Sequence, residues 1–263
     1  MLCRAALGGG LIGAGLFTAI RICSGAVVLL IIVRPPRLSF AGGILAASML
    51  FAYAACFSFA YVALGAGTGA LLLFGAVQVT MILGGLLWGE RPGLRVWLGW
   101  ALACAGLFYL VMPGLESPPV LQAIMMLGAG VAWGVYSLSG KRNTNPTAAT
   151  MRNFVLATPL AVALYLCTTK LEGEPNLHGM TLAVVSGAIT SGIGYVIWYS
   201  ALRHISSTTA AVAQLTVPII AAIGGIAFLG EVVSVRLALA SVLTLGGVAM
   251  ALYCPAKHNA EPE

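Results

Sequence analysis

Apolar runs of helical length follow one another along almost the whole chain, and each ends at a charge, a proline or a glycine cluster. A hydrocarbon core of about 30 Å needs about 20 apolar residues in a helix, so these runs read as spanning helices. They predict nine clear spans: Phe17 to Val33, Ser39 to Ala63, Thr68 to Trp88, Leu94 to Met112, Val120 to Leu138, Thr147 to Thr168, Met180 to Leu202, Ser207 to Leu229 and Val235 to Tyr253. Connections such as Arg34-Pro35-Pro36-Arg37, Pro113 to Pro119 and Lys170 to His178 are too short to hold a soluble domain. Function must therefore lie in the bundle, and the predicted fold is an all-α, polytopic transmembrane helix bundle.

The stretch Ala5 to Leu16 is apolar but glycine-rich and too short to span. It has no clear small-residue cleavage site and a second apolar run follows at once, so it does not read as a signal peptide. Met1 is expected to fall near the end of an original first helix.

Composition agrees with the pattern. Of 263 residues, 60% are hydrophobic and 8% charged, with a mean hydropathy of +1.01, which does not suit a water-soluble globule. Thirteen Lys and Arg face seven acids, all Glu, for a net charge of +6. In a soluble protein that excess would suggest nucleic acid, but no basic-aromatic surface is visible and no nucleic-acid partner is expected. The cations instead occupy alternate gaps: Arg34 and Arg37, Arg91 and Arg95, Lys141 and Arg142, Arg203, and Lys257. By the positive-inside rule that face, which includes the C-terminus, is cytoplasmic. Lys170 and Arg236 dissent.

An internal repeat is legible without gaps. Ala60 to Leu107 overlays Ala201 to Val248 at a constant shift, aligning Thr68 with Thr209, Gly84 with Gly225, Gly89-Glu90 with Gly230-Glu231, Arg95 with Arg236 and Gly106 with Gly247. A weaker match sets Phe17 to Arg21 against Ala148 to Arg152. Each half would hold five helices, and an odd number makes the second copy enter the membrane from the opposite side. The repeats are then inverted, which places Glu90 and Glu231 on opposite faces and supplies two near-equivalent packings for alternating access.

The runs Leu50-Phe51-Ala52-Tyr53, Gly89-Glu90-Arg91-Pro92, Ala132-Trp133-Gly134-Val135-Tyr136 and Gly230-Glu231 resemble the EamA repeat of the drug/metabolite transporter superfamily. The resemblance runs from about Phe17 to Tyr253. It implies ten helices in two five-helix repeats, a central cavity, export of amino acids or related metabolites, and the inner (plasma) membrane of a bacterium. On this basis residues 1–113 form a first repeat lacking most of its opening helix, 114–255 a second, and 256–263 a polar cytoplasmic tail.

Substrate contacts are expected among polar and aromatic groups within the spans. Tyr53, Phe57 and Tyr61 share a helix face, as do Trp133, Tyr136 and Ser137, and Tyr195, Trp198 and Tyr199; helix packing is the plainer alternative, and Tyr61 and Tyr199 read as interfacial belt residues. Gln78, with Phe74 one turn away, and Gln214 carry amides too costly to leave unpaired in hydrocarbon. Pro218 frees the Gln214 carbonyl and Pro159 that of Val155, either as sites or as plain kinks. Arg21 and Arg152 could steer or gate a carboxylate, with snorkelling to lipid phosphate as the alternative. Glu90 and Glu231 sit just before the next helix begins, where a carboxylate caps a helix N-terminus, with proton coupling as the sharper reading. No acid lies mid-span, which excludes a deep carboxylate relay.

Enzyme chemistry is disfavoured: His178, His204 and His258 fall in loops or the tail, and the six Cys read as scattered buried thiols without metal spacing. No catalytic residue, metal or cofactor is expected. The Gly85/Gly89 and Gly130/Gly134 spacings fit close packing either within the bundle or between protomers of a homodimer. Two classes remain, a small-molecule exporter in a lipid bilayer and a non-transporting membrane protein such as an inactive truncated paralogue or an assembly subunit.

Overall fold

The computed structural model describes residues 2–33, 43–64, 66–111, 119–141, 143, 145–217, 219–220 and 235–252. Among them every regular element is helical: α1 (Leu2–Leu7), α2 (Ala14–Val33), α3 (Ile44–Tyr61), α4 (Ala66–Leu87), α5 (Leu94–Val111), α6 (Val120–Lys141), α7 (Pro146–Thr168), α8 (Leu177–Val185), α9 (Gly194–Leu202), α10 (Ser207–Gln214) and α11 (Val235–Leu252). A π-helical segment, Ser186–Ile193, joins α8 to α9 so that the three form one continuous rod. Among the described residues, five helices are long and apolar enough to cross a membrane: α2, α3, α6, α7 and the rod Leu177–Leu202. Shorter apolar stretches of helix cover Leu72–Leu87, Leu94–Tyr109 and Ala238–Leu252.

Local sequence explains where the helices begin and end. Asn145 accepts a hydrogen bond from the Ala148 amide ahead of Pro146, and Asn176 and Ser206 cap α8 and α10 in the same way. Gly89 ends α4 with φ at +84°, a conformation open to glycine and strained for other residues. His178 lies in the first turn of α8 and not in a loop.

Outward faces are apolar, with Val27, Ile31, Leu45, Leu83, Ile124, Leu166 and Ile197 all exposed, as suits contact with lipid. Cys3, Cys23, Cys56 and Cys104 are only half-buried and Cys167 is exposed, so the expectation of buried thiols fails: an outward-facing cysteine costs little where the solvent is hydrocarbon.

Small residues let helices close on each other inside the bundle. A Cβ at Gly130 would meet the Leu73 carbonyl and Ala76, and one at Gly134 would meet Thr80, so these glycines seat α6 on α4. Gly85 faces Glu90 and Thr208. The α5–α11 crossing is equally tight, with Gly99 against Gly247 and Ala251, Gly106 against Ala240 and Thr244, and Gly247 against Ala103.

Candidate functional site

α2 enters the interior beside the π-helical segment, and a Cβ at Gly187 would strike Ser24 and the Arg21 backbone carbonyl. That approach carries Arg21, seven residues and thus about 10 Å along α2, into the bundle. Arg21 is 6% exposed, which rules out snorkelling: its guanidinium is held by side chains of the opposing helix. Nε donates to Ser191 Oγ at 2.8 Å and Nη2 to Tyr195 Oη at 3.0 Å. The Tyr53 and Phe57 rings lie 5.5 and 5.7 Å from the guanidinium carbon, within cation–π range.

The aromatic wall continues from there. Tyr53 and Trp133 have ring centroids 5.0 Å apart, Trp133 and Tyr195 4.8 Å, and Trp133 and Tyr136 5.8 Å. The Trp133 indole N–H donates to Gln214 Oε1 at 2.6 Å, which ties α6 to α10, and Gln214 Nε2 reaches Met81 Sδ at 3.0 Å. One cluster thus unites Arg21, Tyr53, Phe57, Trp133, Tyr136, Tyr195 and Gln214 from five parts of the sequence.

Other expected residues stand apart. Gln78 is buried and satisfied, donating to the Ala211 carbonyl at 2.5 Å and accepting from the Trp100 indole at 3.1 Å, with Phe74 packed nearby, so it holds α4 to α10 and α5. Trp198 donates to Ser137 Oγ at 3.3 Å. Arg152 lies against Gly43 at the start of α3. Pro159 is on the exposed side of α7. Pro218 and Glu231 fall outside the described residues. Tyr199 is not a belt residue: it is buried, its hydroxyl donates to the Tyr136 carbonyl at 2.9 Å and its ring packs on that of Tyr136, in space that Gly140 leaves by having no side chain.

Glu90 does cap a helix, though not the one that follows it. Its carboxylate accepts from the Ser207 and Thr208 amides at 2.7 and 3.1 Å, at the start of α10, and pairs with Lys141 at 2.8 Å. Partial burial works to raise its pKa, but Lys141 and the two amides outweigh that and hold it at about 2. Sequence reading missed this partnership, having placed Lys141 among the loop charges. It also missed Asn153, an amide two turns inside α7 that the test applied to Gln78 and Gln214 would have singled out.

A polar and aromatic interior within an apolar helical shell suits passage of a small solute, and similarity to known proteins decides the kind. The EamA-like transporter family matches residues 120–253. The chain is 47% identical over 257 residues to an uncharacterised protein of Pseudomonas aeruginosa, covering 96% of this chain and 88% of that one. It belongs to the EamA-like transporter family. The threonine/homoserine exporter RhtA of Escherichia coli (strain K12) is 28% identical over 240 residues, 84% of this chain and 76% of the relative. A solved crystal structure superposes with a TM-score of 0.80 at 20% identity over 95% of this chain and 90% of that one, a likeness of fold. As an EamA-like transporter the chain is an integral membrane protein.

Proposed function

We propose that this EamA-like transporter exports amino acids or closely related metabolites across a bacterial inner membrane, by alternating access between two inverted five-helix repeats. The observation that carries the reading is the Arg21–Trp133–Gln214 cluster: a buried cation, an aromatic wall and an amide contributed by α2, α3, α6, the π-helical segment with α9, and α10. Such a set is costly in a membrane interior unless it serves a solute. RhtA, named as a threonine/homoserine exporter, supports the substrate class.

The α5–α11 crossing supports the inverted pair. The repeat shift equates Gly106 with Gly247, Ala103 with Thr244 and Gly99 with Ala240. Under it the contact of Gly99 with Gly247 becomes that of Ala240 with Gly106, and Gly106 with Thr244 becomes Gly247 with Ala103; all four contacts occur. Reciprocal contact of this kind is what a two-fold relation between halves produces. On this reading the repeats divide near residue 113, nine spans cross the bilayer, and Glu90, Lys141 and the C-terminus face the cytoplasm.

Export from cells loaded with labelled amino acids, with and without Trp133→Ala, tests the proposal. Wild type should clear at least one amino acid faster than empty vector, and Trp133→Ala should remove most of the gain. Wild-type efflux equal to empty vector across the amino acids sinks it.

A further inference from the structure

Among the described residues, Arg21 Nη1, Tyr136 Oη and Asn153 Oδ1 are buried polar atoms with no hydrogen-bond partner. Their residues are 6%, 0% and 1% exposed, so neither water nor lipid headgroups satisfy them from outside. Arg21 and Tyr136 gather around one ring, and Asn153 reaches the cluster through Tyr136. Arg21 bonds the Tyr195 hydroxyl, the Tyr136 ring stands 6.1 Å from that of Tyr195, and Phe154, next to Asn153 in α7, stands 5.8 Å from it. Asn153 also lies within reach of the Tyr136 hydroxyl.

The chemistry of the three atoms is complementary. Arg21 Nη1 is a cationic donor, and no carboxylate of a described residue neutralises it: Glu90 is engaged with Lys141 and α10, Glu172 accepts from the Gly15 and Leu16 amides at the start of α2, and Glu174 is exposed in the following loop. Asn153 Oδ1 is an acceptor, and the Tyr136 hydroxyl accepts as well as donates. Leaving a buried donor and a buried acceptor unpaired is unfavourable, and two plain structural roles would have paired them with each other or with backbone.

We infer that Arg21, Asn153 and Tyr136 form a zwitterion site, in which Arg21 Nη1 binds the carboxylate of an α-amino acid and Asn153 Oδ1 with Tyr136 Oη binds its ammonium. The Trp133, Tyr53 and Tyr195 rings then face the substrate side chain, and Ser191 and Tyr195 fix the guanidinium through its other two nitrogens. This assignment rests on the exporter reading for its physiological meaning and not for its test.

The full-length protein in lipid nanodiscs is screened calorimetrically against the twenty standard amino acids, and the tightest binder is compared with its own carboxamide and its own deaminated acid. Each analogue should bind at least about tenfold more weakly, the loss expected when a buried charged partner goes unmet. In Arg21→Gln the preference for acid over carboxamide should vanish. In Asn153→Leu and Tyr136→Phe the preference for amino acid over deaminated acid should shrink while the acid/carboxamide preference stays. Arg21→Lys should keep that preference at lower affinity. The wild-type comparison decides the carboxylate half without any variant. Equal affinity for amino acid and carboxamide, saturable binding by none of the twenty, or selectivity unaltered in the variants overturns the assignment. Selective binding without export leaves it standing and overturns the exporter reading; export indifferent to the carboxylate does the reverse.

Discussion

Glu90 shows how much one side chain can do at a boundary between two halves of a chain. Its carboxylate meets Lys141 and the first two amides of α10, and it is partly open to solvent, which screens the pair. Glu90→Gln should therefore cost about 1 kcal/mol, the worth of a cap, measured as a lower melting temperature in detergent at pH 7. The pH dependence has a definite sign. A carboxyl held at about 2, below its ordinary 4.5, stabilises fully above about pH 4.5 and progressively loses that contribution as pH falls towards 2. Glutamine does not titrate, so the gap in melting temperature should be constant from pH 7 to 5 and narrow below 4.5. A constant gap down to pH 3 would mean that the carboxylate's charge is not what holds α10. The sequence made capping by Glu90 legible, since a carboxylate between two helices has few other uses in lipid. It hid which helix, because Ser207 is far along the chain and only tertiary folding brings it there. For Arg21 the sequence left open a carboxylate contact or snorkelling for the same reason: whether an arginine snorkels depends on the neighbours within its reach, and Ser191 and Tyr195 lie on a different helix.

At the level of elements, the helices were readable because a bilayer demands long apolar runs, and most described helix ends fall within a few residues of those expected. The π-helical segment Ser186–Ile193 was not. A π turn leaves no periodic signature in so uniformly apolar a run, and its use appears only against α2, where it lets Gly187 touch the Arg21 carbonyl and turns Ser191 and Tyr195 towards the guanidinium. Gly187→Ala sets a methyl group against that backbone and should destabilise by about 1–3 kcal/mol, the range for overpacking, while loosening Arg21. Gly128→Ala supplies the control. It lies within α6 with nothing within 4 Å of a new Cβ, and should be neutral or stabilising by up to about 1 kcal/mol. Thermal melts of both in the same detergent check the pair; equal melting temperatures would mean that the α2 contact yields without cost.

For the whole molecule the question is whether α10 moves during transport. Glu90 and Lys141, both N-terminal to α7, hold the start of this helix, and Gln214 at its other end holds Trp133 in the aromatic cluster. Eight residues thus connect the Glu90–Lys141 latch to the interior site, and a rigid helix of that length transmits displacement from one end to the other. The proposed alternating access would require such contacts to break on one face while the other closes. Joining Glu90→Cys to Thr208→Cys with a short bis-methanethiosulfonate, which links the thiols through disulfides, should therefore reduce amino-acid efflux to the empty-vector level, and a reductant that cleaves those disulfides should restore it. Each single cysteine treated with the same reagent should retain most of its efflux. If the cross-linked protein exports at the uncross-linked rate, α10 keeps company with the Glu90 turn throughout the cycle, the latch is a permanent cap, and the gate must be sought where α2 crosses the π-helical segment.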